Sequence, residues 1–368
     1  MHAENLHKQM RKPRILISPL DWGLGHATRC IPIIRELLRL DFDVWLACDG
    51  NTNRLLADEF PQLTILEIPG YNIKYSRSGT GLFWGMLKQL PKLLNMIRYE
   101  NHWLKTKIPV YDFDAIISDN RFGFYSKKTF SIFITHQLEI KSGLGKLADI
   151  ILRSFHYRYI NKFDQCWVPD IENKNSLAGE LSHPEKMPKT QVQYIGMLSR
   201  FKSQSIPEIK KHILIVLSGP EPQRTILEKI ILKDILSYPY TATVVRGLPG
   251  EVNSIPSKEN IKFFNYLNAE GLNREMGKAE FVISRSGYST IMDLARLQKK
   301  SILIPTPGQT EQLYLAKNLS TKNLALCIDQ NDFSLIDAIA KAETFSYQPL
   351  QQYDDALLKQ AVKSLVKN

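Results

Sequence analysis

A chain of 368 residues, 43% of them apolar, is too long for one ordinary core and suits two α/β domains, each burying its own sheet. Its formal charge of +11 is uneven: residues 71–110 carry seven Lys and Arg against Glu100 alone, and no recognisable nucleic-acid module accompanies that cluster, which argues against a nucleic-acid partner. The four cysteines, Cys30, Cys48, Cys166 and Cys327, are scattered and form no CxxC pair; this excludes a zinc ribbon and a disulfide scaffold and points to a reducing, cytoplasmic compartment.

The first apolar run, Ile15-Leu16-Ile17, follows a basic stretch but stops at Ser18-Pro19, too short for the apolar part of a signal peptide. No run of about 18 apolar residues follows, so no membrane span is expected. Short β-branched and apolar segments predict strands at 14–18, 43–48, 64–68, 115–118, 131–135 and 165–168, with helical patterns between most of them. Residues 196–207 hold Ser199, Ser203, Gln204, Ser205 and Pro207, a polar composition typical of a joint between domains. A second series of strands is predicted at 213–217, 241–245, 261–264, 281–284, 301–304 and 326–328. Over 351–367, Leu357, Leu358, Ala361, Val362, Leu365 and Val366 recur at helical steps, so an amphipathic helix is expected there with a face to bury. The pattern implies an α/β fold of two wound, Rossmann-like domains, 1–200 and 201–350, followed by a C-terminal helix, 351–368, that docks on a domain.

Three segments carry chemistry. The first strand runs into Asp21-Trp22-Gly23-Leu24-Gly25-His26, ahead of a helix beginning Ala27-Thr28-Arg29. Glycines at a strand-to-helix turn allow close approach to the backbone, and the helix start offers free amides to an anion, although a tight turn needs glycine for its own sake. In the second half, Ile283-Ser284-Arg285-Ser286-Gly287-Tyr288-Ser289-Thr290 repeats the arrangement with an arginine alongside. Asp293 in the ensuing helix either complements the dipole or holds a ribose hydroxyl. After the next strand, Pro305-Thr306-Pro307-Gly308 shapes a loop, and Glu311 and Gln312 open a helix from which they could bond sugar hydroxyls or simply start the helix.

The run from Arg285 to Asp293, with Glu311-Gln312 after it, resembles the nucleotide-sugar signature of GT-B glycosyltransferases, especially family 28, and the donor motif of plant and antibiotic UDP-glycosyltransferases. The similarity extends to Gly25-His26, Thr135-His136-Gln137, Gly196-Met197-Leu198-Ser199-Arg200 and Ser218-Gly219-Pro220, and so covers nearly the whole chain. It implies parallel sheets facing across a cleft, with the acceptor held by the N-terminal domain, the nucleotide sugar by the C-terminal one, and the final helix docked on the N-terminal domain. It further implies metal-independent inverting transfer, without a cofactor, from a UDP-sugar to a hydroxyl on an envelope glycolipid or glycan. Gly25, Arg200, Ser218 and Gly219 would meet the diphosphate; Arg285, Ser286, Gly287, Ser289 and Thr290 would line the phosphate and base pocket. Asp293 would hold the ribose, and Glu311 and Gln312 the donor sugar.

Transfer requires a base for the acceptor hydroxyl, and His26 is the expected one, its imidazole titrating near neutrality. Asp119 would orient it as in UDP-glycosyltransferases, a departure from the peptidoglycan-synthesis members of family 28. His136 is the alternative base or, with Gln137, an acceptor contact. A second departure is Gly219-Pro220-Glu221-Pro222, whose prolines lack the N–H a phosphate wants. The triplets Asp41-Phe42-Asp43 and Asp112-Phe113-Asp114 each precede an apolar strand and are expected to be structural rather than metal-binding. Residues 71–110 combine lysines with Phe83, Trp84, Met86, Leu90, Leu93, Leu94 and Ile97, and peripheral contact with the inner face of a membrane is expected there. A UDP-sugar 2-epimerase of the same plan and a non-catalytic nucleotide-sugar-binding partner of another transferase are the competing readings.

Overall fold

The structure is a computed structural model that describes residues 11–71 and 81–366, with the backbone alone for 81–88. The first unit runs β1 (Arg14–Pro19), α1 (Leu24–Arg39), β2 (Asp43–Cys48), α2 (Gly50–Glu59), β3 (Thr64–Glu67), α3 (Gly81–Tyr111), β4 (Ala115–Asp119), β5 (Phe130–Ile134), α4 (Lys146–Ile160), β6 (Gln165–Val168) and β7 (Gln191–Tyr194). Its seven strands are all parallel, in the order β3-β2-β1-β4-β5-β6-β7. The second unit runs β8 (Ile209–Val216), α5 (Gln223–Ile235), β9 (Ala242–Val245), β10 (Ile261–Phe264), α6 (Ala269–Lys278), β11 (Ala279–Ser284), α7 (Tyr288–Arg296), β12 (Lys300–Leu303), α8 (Thr310–Thr321), β13 (Leu326–Cys327), α9 (Leu335–Thr344) and α10 (Ala356–Ser364). Its six strands are parallel too, in the order β10-β9-β8-β11-β12-β13.

The central strands are continuous apolar runs because both faces of each sheet are covered. In β1, Ile15 and Ile17 join the core under α1, with Ile31, Ile34 and Leu37, while Leu16 between them joins Trp103 and Leu104 of α3 on the other face. The β7 segment Gln-Val-Gln-Tyr escaped the sequence pattern because an edge strand needs little apolar character; only Tyr194 of the four is buried. Helix α10 is shorter than the expected 351–367 and packs on α1, with Leu358, Ala361, Val362 and Leu365 in the core they share. The strap leading to it is held by Arg296, which donates to the carbonyl of Tyr353 at 2.6 Å and to the carboxylate of Asp355 at 3.2 Å.

The strand order places a reversal between β1 and β4 in one sheet and between β8 and β11 in the other, where wound α/β folds bind ligands beyond the strand ends. His26 and Asp119 follow or end the first pair of strands, and Ser218 and Arg285 follow the second. Both aspartate triplets lie at the opposite end of the first sheet. Arg14 bonds Asp43 at 2.6 Å, and Arg11 bonds Asp112 at 2.8 Å and Asp114 at 2.7 Å, while Phe42 and Phe113 are buried. In the basic segment, Trp103 and Leu104 of α3 pack on the sheet, Ile97 packs with Leu20, Tyr71 and Tyr159, and Lys92, Arg98 and Lys105 are exposed, an ordinary amphipathic division. Lys74 and Arg77 lie outside the described residues, as do the side chains of Phe83, Trp84, Met86 and Lys88.

Candidate active site

Helix α1 starts three residues earlier than expected, because Gly23 adopts φ 88°, a left-handed conformation that lets the chain turn directly into the helix. No side chain caps α1 or α7, so their first amides remain available to an anion. The two helix starts meet across the domain boundary, where the Ser289 hydroxyl donates to the carbonyl of Gly25 at 2.9 Å. A Cβ on Gly25 would sit 3.1 Å from that hydroxyl, so glycine here serves the close approach of α1 to α7. At Gly287 a Cβ would meet nothing within 4 Å, which leaves open space at the α7 start. Thr290 is half-buried in the same first turn.

Five polar side chains converge between the domains. His26 Nδ1 lies 3.1 Å from Asp119 Oδ1, and among the described residues its Nε2 has no hydrogen-bond partner. Arg29, one helical turn on from His26, donates from Nε to Asp119 Oδ2 at 2.6 Å and from Nη2 to Oδ1. Its Nη2 is 2.8 Å from His26 Nδ1 and its Nη1 is 3.3 Å from His136 Nδ1. His136 Nε2 reaches Glu311 Oε1 of α8 at 2.8 Å, and its ring stacks on Tyr288 of α7 with centroids 4.2 Å apart. Gln137 is half-buried just beyond.

Burial would raise the Asp119 carboxyl, but the Arg29 charge, then His26, overcome it and hold the group at about 2. His26 is lowered from 6.5, first by burial and then by Arg29, against the opposing pull of Asp119. Arg29 went unremarked in the sequence as a site residue. Its signal was an arginine three residues from His26 on a helix that continues Cys30-Ile31, where a charge has no reason to sit without a buried partner.

The C-terminal residues divide into those at the boundary and those turned inward. The Arg285 guanidinium is 1% exposed and donates to the carbonyls of Ile304, Pro305 and Gln223 and, at 2.6 Å, to Gln330 Oε1. This corrects the expectation that it reaches toward a diphosphate: the side chain ties the loops after β11 and β12 to the start of α5, and burial lowers it to about 10. Ser286 is likewise committed, donating to the carbonyl of Gln312 at 2.9 Å. Gln312 accepts from Thr306 N at 2.9 Å and donates to Gln309, closing its own loop rather than offering its amide to a sugar.

Asp293 accepts from the Ser199 hydroxyl at 2.6 Å and sits beside Arg200, so in this structure it secures the segment joining the domains. Arg200 keeps a buried Nε with no partner among the described residues, and Thr306 Oγ1 is in the same condition. Thr306 Oγ1 would lie 3.7 Å from a Cβ at Gly219, whose φ of 101° sets the turn after Ser218, itself half-buried. Two unpaired buried polar atoms and two uncapped helix starts around one boundary are what an anionic ligand would satisfy.

Two wound parallel sheets joined in one chain, with a His-Asp pair at the reversal of the first, follow the two-domain plan of GT-B glycosyltransferases. Residues 248–368 match the glycosyltransferase family 28 C-terminal domain. An uncharacterized glycosyltransferase of Methanosarcina acetivorans is 24% identical over 81% of each chain. A UDP-N-acetylglucosamine--N-acetylmuramyl-(pentapeptide) pyrophosphoryl-undecaprenol N-acetylglucosamine transferase of Rickettsia massiliae is 35% identical over a shorter stretch, 23% of each chain. The fold is shared with the spinosyn rhamnosyltransferase SpnG, solved in complex with thymidine diphosphate, at a TM-score of 0.60 and 14% identity over 96% of this chain and 95% of that one.

Proposed function

We propose that this glycosyltransferase carries out a metal-independent, inverting transfer from a UDP-sugar to a hydroxyl of an envelope glycolipid or other glycan, with His26 as general base. The observation that carries the reading is the pairing of His26 with Asp119 at the β1/β4 reversal, opposite the uncapped start of α7. A ring that donates Nδ1–H to an ionised Asp119 has its lone pair on Nε2, where an acceptor hydroxyl can give up its proton. The departing diphosphate would be met by the α7 amides, by Arg200 and by the turn at Ser218-Gly219, so that base and leaving group act on opposite faces of the anomeric carbon and the configuration inverts. That neutralisation by fixed donors does not call for a metal ion.

A UDP-sugar donor is supported by the name of the Rickettsia relative, and a nucleoside diphosphate in this fold by the SpnG complex. A lipid-linked acceptor reached by peripheral contact with a membrane is supported by the exposed apolar residues at the start of α4, Leu147 at 74% and Ile151 at 61%, with Leu144 and Ile150 beside them. No helix among the described residues is long and apolar enough to cross a membrane.

The test is a transfer assay with a panel of UDP-sugars, offering one lipid-linked and one water-soluble hydroxyl acceptor, in the presence and absence of a chelator. His26→Ala should lose roughly 10²–10⁴-fold in kcat while UDP affinity stays within about twofold. Undiminished transfer by His26→Ala would overturn the base assignment, transfer to the soluble acceptor alone would remove the lipid reading, and loss on chelation would remove the metal-independent one.

A further inference from the structure

We infer that Arg29 is the positioning residue of the site, fixing the proton of His136 on Nε2 so that this ring is a hydrogen-bond donor, and opposing a second proton on His26. A guanidinium has five N–H donors, no acceptor, and is always charged. Where Arg29 Nη1 meets His136 Nδ1 at 3.3 Å, that nitrogen must present its lone pair. The proton of a neutral His136 then lies on Nε2, where it is donated to Glu311 Oε1 at 2.8 Å. In this state His136 has no free lone pair with which to take a proton from an acceptor. It serves instead as a bridge from Arg29 to the C-terminal domain.

The same guanidinium sets His26 through Asp119. Two parallel donors, Nε and Nη2, fix the carboxylate in its plane and keep it an anion although it is fully buried. That ionised carboxylate holds Oδ1 3.1 Å from His26 Nδ1. Nη2 lies closer to the same nitrogen, at 2.8 Å, so a positive charge rests against the ring and opposes a second proton on the imidazole. The charged and titratable groups facing His26 are Arg29 on its own helix, Asp119 on β4, His136 after β5 and Glu311 on α8, with Cys30 against Asp119 behind them. Of these, only Arg29 touches Asp119 and both imidazoles.

The catalytic consequence rests on the function proposed above, whereas the proton placement does not, so a ligand-free measurement separates the two. In histidine-¹⁵N-labelled protein, with resonances assigned through His26→Gln and His136→Gln, NMR should show His136 protonated on Nε2 and a His26 midpoint below 6.5. In Arg29→Met, His26 would face an unopposed Asp119 and its midpoint should rise by roughly one unit or more. The acid limb of kcat/KM should move by the same amount, with activity partly recovered at alkaline pH; a purely structural loss would depress all pH values alike. Arg29→Lys, which retains a charge without the fork, should fall between.

A wild-type His136 protonated on Nδ1, or a His26 midpoint unmoved in Arg29→Met or, if that variant does not fold, in Arg29→Lys, would overturn the inference. Correct proton placement with no sugar transfer from any UDP-sugar would leave it standing and overturn the proposed function instead.

Discussion

Glu311 accepts a hydrogen bond from His136 across the domain boundary, 2.8 Å from Nε2, so a carboxylate at the start of α8 is bound to an imidazole that follows β5, 175 residues earlier. The bond joins the two lobes at the point where Tyr288 also covers His136 and donates to the carbonyl of Pro169 at 2.9 Å. Replacing Glu311 by Ala leaves a buried N–H without its acceptor, and stability should fall by about 1–3 kcal/mol. Glu311→Gln keeps an acceptor and should lose less than about 1 kcal/mol. Urea unfolding of the two variants checks this, and equal losses would show that the bond is not what the alanine removes.

Asp293 should make stability depend on pH. Burial raises its carboxyl to about 6, well above its ordinary 3.8. Because the folded value is the higher one, the group favours the folded state most at low pH, and that contribution is lost as pH rises from about 4 through 6. Asp293→Asn removes the term while an amide oxygen can still accept from Ser199, so at pH 8 the variant should be more stable than the native chain by about 2–3 kcal/mol. Its stability should also vary less between pH 4 and 7. If the carboxylate additionally holds a ribose hydroxyl, UDP affinity should drop in the same variant, which isothermal titration at pH 8 would register.

For Arg285 the expected effect is on folding rather than on ligand charge. Arg285→Met would strip donors from three carbonyls and from Gln330 in a buried setting, a loss of about 3 kcal/mol or more. UDP binding would weaken as the 305–309 loop shifts, yet its dependence on salt should match the native protein, since the guanidinium is not among the cations facing the ligand. A flatter salt dependence in Arg285→Met would return Arg285 to the diphosphate.

The sequence by itself determined the two wound sheets. Buried parallel strands must be nearly unbroken β-branched and apolar runs, and segments such as 43–48, 115–118 and 281–284 carry that demand locally, where a reader of the chain can see it. It also marked His26, Asp119 and the turns at Gly25 and Gly287, because a strand end followed by glycine and a helix start is a local pattern. The edge strand at 191–194 was not legible, since an outer strand is under no pressure to be apolar.

Only the tertiary structure decided where the polar side chains point. Arg285 and Arg29 differ little as letters near a glycine turn, yet one is drawn into the C-terminal domain by carbonyls and Gln330 while the other is drawn to Asp119, 90 positions away. A charged group settles wherever burial supplies its partners, and those partners come together only when distant segments pack. The pairing of His136 with Glu311 belongs to the same class: it exists because two sheets face each other, and nothing within either segment requires it.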